Sequence, residues 1–178
     1  MKRLALTFIL CLVSVSLLAC GGRGSSNMYE GSTTQDAINE VKKKAGGDIK
    51  PMSLRIYPDR AEVTVQDPNN PEKAIRYEYR EGAVTDPRPV TLLGGGKVAD
   101  NLFNLGDVDL AAIPNMAKTA KERINIAGAE VESMNLSYPM VSMEANAPPK
   151  WTIMVKGGDK RGSAVADMKG NITFVNVE

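Results

Sequence analysis

Residues 51–80 read PMSLRIYPDRAEVTVQDPNNPEKAIRYEYR, and this stretch decides the fold. Met52, Leu54 and Ile56 alternate with Ser53, Arg55 and Tyr57. After Pro58-Asp59, Ala61, Val63 and Val65 alternate with Glu62, Thr64 and Gln66. Asp67 to Pro71 (DPNNP) predicts a turn, because proline presets φ while aspartate and asparagine hydrogen-bond their own backbone. Ile75, Tyr77 and Tyr79 then alternate with Arg76, Glu78 and Arg80, and Gly82 opens another turn. Successive strand side chains point to opposite faces, so this period of two predicts an antiparallel sheet with one buried and one wet face.

Toward the N-terminus the period changes. Ala37, Ile38, Val41 and Ala45 recur at helical spacing and predict a helix over Thr34–Ala45. Thr34 suits its N-cap, Lys42 to Lys44 suit the negative end of its dipole, and Gly46-Gly47 end it. Toward the C-terminus, Gly94-Gly95-Gly96 break the pattern, and Leu102, Phe103, Leu105 and Val108 predict a packed connector. Ile113, Met116, Ala117, Ala120, Ile124 and Ala127 form a second helical stripe, with Pro114 in the first turn, where its missing N–H costs nothing, and Gly128 as the stop. Strands are predicted at Val131–Tyr138, Val141–Ala145, Trp151–Lys156, Ser163–Met168 and Ile172–Val177.

The second pass repeats the first. Ala45-Gly46, Asp48-Ile49 and Met52-Ser53-Leu54 correspond to Ala127-Gly128, Glu130-Val131 and Met134-Asn135-Leu136 at an offset of 82. Tyr57-Pro58 corresponds to Tyr138-Pro139 with one residue of slippage, and Glu81–Thr85 corresponds to Lys169–Thr173 at an offset of 88. The reading is an internal duplication. The predicted fold class is α+β, with two tandem units, each a helix packed on an antiparallel sheet, at 32–93 and 109–178, joined by a connector at 94–108. This element order over 32–178 resembles the tandem architecture of the β-lactamase-inhibitor-protein and PepSY-like folds, without a diagnostic motif. The resemblance implies that the sheet face turned away from the helices binds a protein or peptide.

The first nineteen residues read as a signal peptide. Lys2 and Arg3 precede an uncharged run from Leu4 to Leu18, which is 15 residues long, short of the roughly 20 that span a bilayer. The run ends in Leu17-Leu18-Ala19-Cys20, followed by Gly21-Gly22, and resembles the bacterial lipobox, although Leu18 stands where Ala or Ser is usual. The resemblance implies cleavage after Ala19, lipidation of Cys20 and a membrane reached through that lipid anchor. It places the chain in the cell envelope. Gly21 is not the aspartate of inner-membrane retention, so in a Gram-negative organism the outer membrane, facing the periplasm, is expected. Residues 20–31 then read as a lipidated flexible tether.

Composition narrows the chemistry. Without residues 1–19 the chain keeps 20 basic and 21 acidic residues, since only Lys2 and Arg3 leave with the leader. That balance argues against nucleic acid as a partner. Histidine is absent and the two cysteines are Cys11 and Cys20, so the body has neither imidazole nor thiol for nucleophilic catalysis, metals or haem. No cofactor, catalytic residue or metal ligand is assigned. Leu93–Lys97 lacks phosphate-loop spacing, and Asp107-Val108-Asp109 lacks a calcium loop, which leaves Asp109 a cap. Asn135-Leu136-Ser137 and Asn171-Ile172-Thr173 read as ordinary strand residues despite matching the glycosylation sequon.

The wet face remains as the candidate site. In the first unit it carries Arg55, Tyr57, Glu62, Thr64, Arg76, Glu78 and Arg80, and in the second Thr152, Met154 and Lys156. Arg55, Tyr57, Arg76, Glu78, Arg80, Met154 and Lys156 are the candidate partner-binding residues, because Tyr and Arg dominate binding hot spots. The expected function is a non-catalytic binding or accessory module that presents this face to an envelope protein, peptide or polymer. The alternatives are an envelope hydrolase using carboxylates or a Ser–Lys pair, and a small-ligand carrier with an apolar cavity.

Overall fold

A computed structural model describes residues 27–92, 96–139 and 147–177. The leader, Cys20, the Val141–Ala145 strand and the first two glycines of the 94–96 run lie outside the described residues. The chain runs α1 (Thr33–Ala45), β1 (Pro51–Ile56), β2 (Arg60–Asp67), β3 (Asn70–Arg80), β4 (Ala83–Val84), β5 (Arg88–Val90), α2 (Ile113–Ile124), β6 (Glu130–Ser137), β7 (Lys150–Gly157), β8 (Lys160–Ala166) and β9 (Ile172–Val177). The fold is α+β. All nine strands form one antiparallel sheet in the order β4-β3-β2-β1-β6-β7-β8-β9, with β5 pairing β3 beside β4.

Both helices lie on one face of this sheet. α1 packs on β2, β3 and β4, and α2 packs on β6 to β9. Leu54, Ile56, Val63, Met134, Leu136, Trp151, Ile153 and Val155 point into that layer and meet Ile38, Val41, Ile113 and Met116 in one core. The predicted alternation and both helical stripes bury most of the residues expected; Met52, beside a register shift in β1, and Ala45, Ile75 and Tyr79 are only half-buried, and Ala127 is exposed. α2 stops three residues before it, with Asn125 in the left-handed conformation accepting the terminating role given to Gly128. Asparagine tolerates that conformation because its short side chain adds little steric cost.

Other boundaries shift for identifiable reasons. Thr34 is not the N-cap. Its side chain is buried and its hydroxyl donates to the Met28 carbonyl, while Ser32 occupies the cap position and binds Asp36 Oδ2 at 2.8 Å. Ordered structure starts earlier than Ser32, since Met28 and Tyr29, read as tether, belong to the core. Met28 N donates to Pro58 O at 3.0 Å and Tyr29 Oη to Ile56 O at 2.9 Å. Burial, with Tyr57 and Asp59 nearby, pushes the Tyr29 phenol up, so it remains a donor. The DPNNP turn closes on Pro68-Asn69 alone, so β3 begins at Asn70. Asp109 does cap, its carboxylate accepting from Ala111 N at 3.0 Å.

Gly162 lies on β8 under α2, where a methyl group would stand 2.7 Å from Ile124 Cγ2 and 3.0 Å from Asn176 O. Neither neighbour is free to retreat. Gly162→Ala is expected to cost about 1–3 kcal/mol by overpacking, measured as a lower midpoint in urea denaturation with an unchanged slope.

Candidate functional site

The sheet face opposite the helices carries the candidate residues, and cross-strand register lines them up in rows. One row runs Phe174, Val165, Thr152, Asn135, Arg55, Glu62, Glu78 from β9 across to β3. A parallel row sets Ser137, Ser53, Thr64 and Arg76 side by side. The face is therefore divided: charges crowd β1 to β3, whereas β6 to β9 present mainly neutral residues, Met154 among them, with Lys156 exposed near the end of β7.

In the charged half the ions pair with one another. Arg80 Nη2 lies 2.8 Å from Asp59 Oδ2, Arg60 Nη1 lies 3.0 Å from Asp59 Oδ1, and Arg60 Nε lies 3.2 Å from Glu62 Oε1. Arg76 Nη1 completes the chain at 2.8 Å from Glu62 Oε2. The Arg60 guanidinium also stacks on the Tyr57 ring, 3.8 Å from its centroid. Burial by itself would lower the Arg60 pKa, but the bond to Glu62 and the charge of Asp59 outweigh it and hold the pKa above its ordinary value.

Glu62 departs from the wet-face expectation. It points to the open side of the sheet yet is only 7% exposed. The stems of Arg60 and Arg76 cover it, as long basic side chains do when their heads stay in water. Its cross-strand neighbour is Glu78, so the two arginines on Glu62 also offset a like-charge pair. Arg55, beside Glu62 on one side and Asn135 on the other, is exposed and makes no ion pair among the described residues.

The sequence reading missed Arg60, Asp59 and Asn135. Extending the alternation of Glu62 and Thr64 back by two residues reaches Arg60, but Pro58-Asp59 reads as a turn, where strand parity has no meaning. Asn135 is half-buried at the centre of the face. Its Nδ2 donates to Ser137 Oγ at 3.1 Å, whereas its Oδ1 is buried without a donor among the described residues. Such an acceptor favours an incoming N–H or O–H.

The concave spaces lie elsewhere. A cleft of about 670 Å³ separates α1 from the segment Asn104–Ala111. There Lys42, 2.9 Å from Asp48, holds that exposed carboxyl below its usual range. Another, of about 570 Å³, lies among Asp100–Asn104, Tyr138-Pro139 and Ala147–Pro149. Among the described residues no group of three or more His, Cys, Asp or Glu side chains is placed to hold a metal, and no helix is long and apolar enough to cross a membrane.

The sequence matches no protein-family model and no curated protein, so the likeness to the β-lactamase-inhibitor-protein and PepSY-like folds rests on element order alone. Among solved structures, the chain is similar in fold to a protein from Clostridium difficile 630 described as a "putative lipoprotein". The match has a TM-score of 0.56 and 17% identity, and covers 86% of this chain and 99% of the other.

Removing the carboxylate at the centre of the ion chain leaves two guanidinium groups facing each other. Both are partly exposed, which lets water and salt screen them. Glu62→Ala is expected to lower stability by about 1–2 kcal/mol, with the loss shrinking in 1 M salt, as read by thermal denaturation.

Proposed function

We propose that this chain is a lipid-anchored lipoprotein of the cell envelope whose open sheet face docks an envelope protein, peptide or polymer without catalysis. The observation that carries the anchoring is the run Leu17-Leu18-Ala19-Cys20 standing seven residues before the first described residue, Asn27. The fold similarity to a protein described as a "putative lipoprotein" supports it. Gly21 favours the outer membrane in a Gram-negative organism.

The docking role is supported by a face that neither helix covers. It offers Arg55 and Lys156, cations without an ion pair among the described residues, an Asn135 acceptor without a donor among them, and apolar or polar neutral groups at Met154 and Thr152. Directional polar contacts beside neutral surface are what a partner of mixed polarity needs. Tyr57, Arg76, Glu78 and Arg80 form the fixed border of that surface.

We read the two halves as tandem helix-on-sheet units. Leu54 and Leu136, equivalent at the offset of 82, face each other where β1 pairs with β6, which is where a two-fold axis relating two copies would pass. Their partners on the next strands, Val63 and Trp151, differ by 88, the same offset as Glu81–Thr85 and Lys169–Thr173.

Two measurements test this function. Mass spectrometry of the mature N-terminus is expected to find acylated Cys20, with Cys20→Ser leaving an uncleaved, unacylated chain; an unmodified thiol would end the anchoring assignment. A photo-crosslinking residue in place of Arg55 is expected to give discrete adducts in intact cells that the same residue in place of Lys118, exposed on α2, does not. Identical adducts from both positions would remove the docking assignment.

A further inference from the structure

The charges of the open face are not spread evenly. Register sets Lys150 of β7, Ser137 of β6, Ser53 of β1, Thr64 of β2, Arg76 of β3 and Arg88 of β5 side by side across the sheet. This row holds cations and hydroxyls and no carboxylate. In the next row Arg55 and Asn135 follow Ser53 and Ser137, and the carboxylates, Glu62 and Glu78, stand on β2 and β3. Glu62 is covered by the two arginines that bind it, so a partner on this surface meets the cations first.

Hydroxyls flanked by cations suit an oxyanion. Ser137 Oγ accepts from Asn135 Nδ2 at 3.1 Å, which leaves its own O–H to donate. Hydroxyl and guanidinium donors give a carboxylate charge-assisted bonds, about twice as strong as neutral ones. One step along the strands the chemistry changes. Asn135 Oδ1 is an acceptor without a donor among the described residues, and in its row Val165 and Phe174 follow on β8 and β9, with Phe174 57% exposed. Val165 lies two strands from Asn135, about 10 Å, and the hydroxyl row about 7 Å along the strands, so a few extended residues reach all three.

We propose that the open face takes an acidic protein segment carrying a large apolar side chain. This names the partner class for the docking role above and rests on that role. Carboxylates of the segment lie along Ser137, Ser53 and Thr64, drawn by Arg55 and Lys150. A backbone N–H meets Asn135 Oδ1, and the apolar side chain covers Val165 and Phe174. A polymer of phosphates satisfies the cations but brings neither the N–H nor the apolar group. A basic segment is repelled by Arg55 and Lys150.

The test is fluorescence anisotropy of a labelled peptide of Asp, Glu and Gly containing Phe, titrated with the full chain in nonionic detergent and referenced to protein-free micelles. Saturable binding that weakens at high salt is expected. A peptide with Lys in place of every Asp and Glu, and inorganic polyphosphate, are expected to bind about tenfold more weakly or less. Arg55→Glu is expected to raise the dissociation constant about tenfold, whereas Lys118→Glu, exposed on α2, leaves it unchanged. Phe174→Ser is expected to weaken the Phe-containing peptide and not a Phe-free counterpart. The proposal is overturned by absent binding, by equal binding of the basic peptide or polyphosphate, by Arg55→Glu matching Lys118→Glu, or by Phe174→Ser matching wild type. Any of these results beside discrete crosslinks from position 55 leaves the docking role standing, whereas crosslinks identical to those from position 118 remove both.

Discussion

The pairing of β1 with β6 is the contact on which the rest of the structure depends. Ser53, Leu54, Arg55 and Ile56 face Ser137, Leu136, Asn135 and Met134, and through these four pairs a sheet led by α1 becomes continuous with a sheet led by α2. Leu54, Ile56, Met134 and Leu136 are fully buried at the seam. Each such side chain contributes about 1.5–3 kcal/mol on leaving water. Apart, each half would own one helix, a few strands and a raw edge at its most hydrophobic strand. Joined, both edges disappear into the middle and a single core forms under two helices. With no cysteine after Cys20, no disulfide within residues 21–178 can replace this packing.

The same seam places polar chemistry at the centre of the open face. Arg55 and Asn135 are opposite each other because Leu54 and Leu136 are, so burial on one side dictates alignment on the other. To one side of this pair the arginines are committed: Arg60 and Arg76 to Glu62, and Arg60 and Arg80 to Asp59. A carboxylate covered as well as Glu62 needs such partners, since an uncompensated buried charge is costly. To the other side, Thr152, Val165 and Phe174 bring no charge at all. Along this one row the face passes from ion pairs, through a cation and an acceptor that have no partner among the described residues, to apolar groups.

Much of the fold was legible because it is written in periodicity. The alternations at Met52–Ile56, Ala61–Val65 and Ile75–Tyr79 set strand faces, and the stripes at Ala37–Val41 and Ile113–Ile124 set helix faces. What periodicity lacks is tertiary contact. Thr34 has the chemistry of a cap, but the buried carbonyl of Met28 lies beside it and takes its hydroxyl. Met28 and Tyr29 sit in a run of small polar residues, and only Pro58 and Ile56, far along the chain, reveal them as core. The candidate site was legible as a list of outward residues. Which arginines are paired and which is free depends on Asp59, a turn residue whose direction no alternation specifies.

The attachment point of the chain gives these pairings a consequence. Met28 ties the start of the body to Pro58, at the turn between β1 and β2, and Asp59, Arg60, Tyr57 and Arg80 cluster at that same end. From Cys20 to Asn27 are seven residues, which fully extended reach about 25 Å at most. A lipid on Cys20 would therefore keep the arginine-bearing end of the sheet within that distance of a bilayer. In the ion chain three arginines, Arg60, Arg76 and Arg80, share the two carboxylates of Asp59 and Glu62, and the chain after residue 19 is nearly balanced, with 20 basic and 21 acidic residues. The ion chain compensates the buried carboxylate of Glu62 and joins β2, β3 and the turn between β1 and β2. It fixes the side chains at this end of the face against one another, whereas Arg55, one strand position away, keeps its guanidinium outside the ion chain.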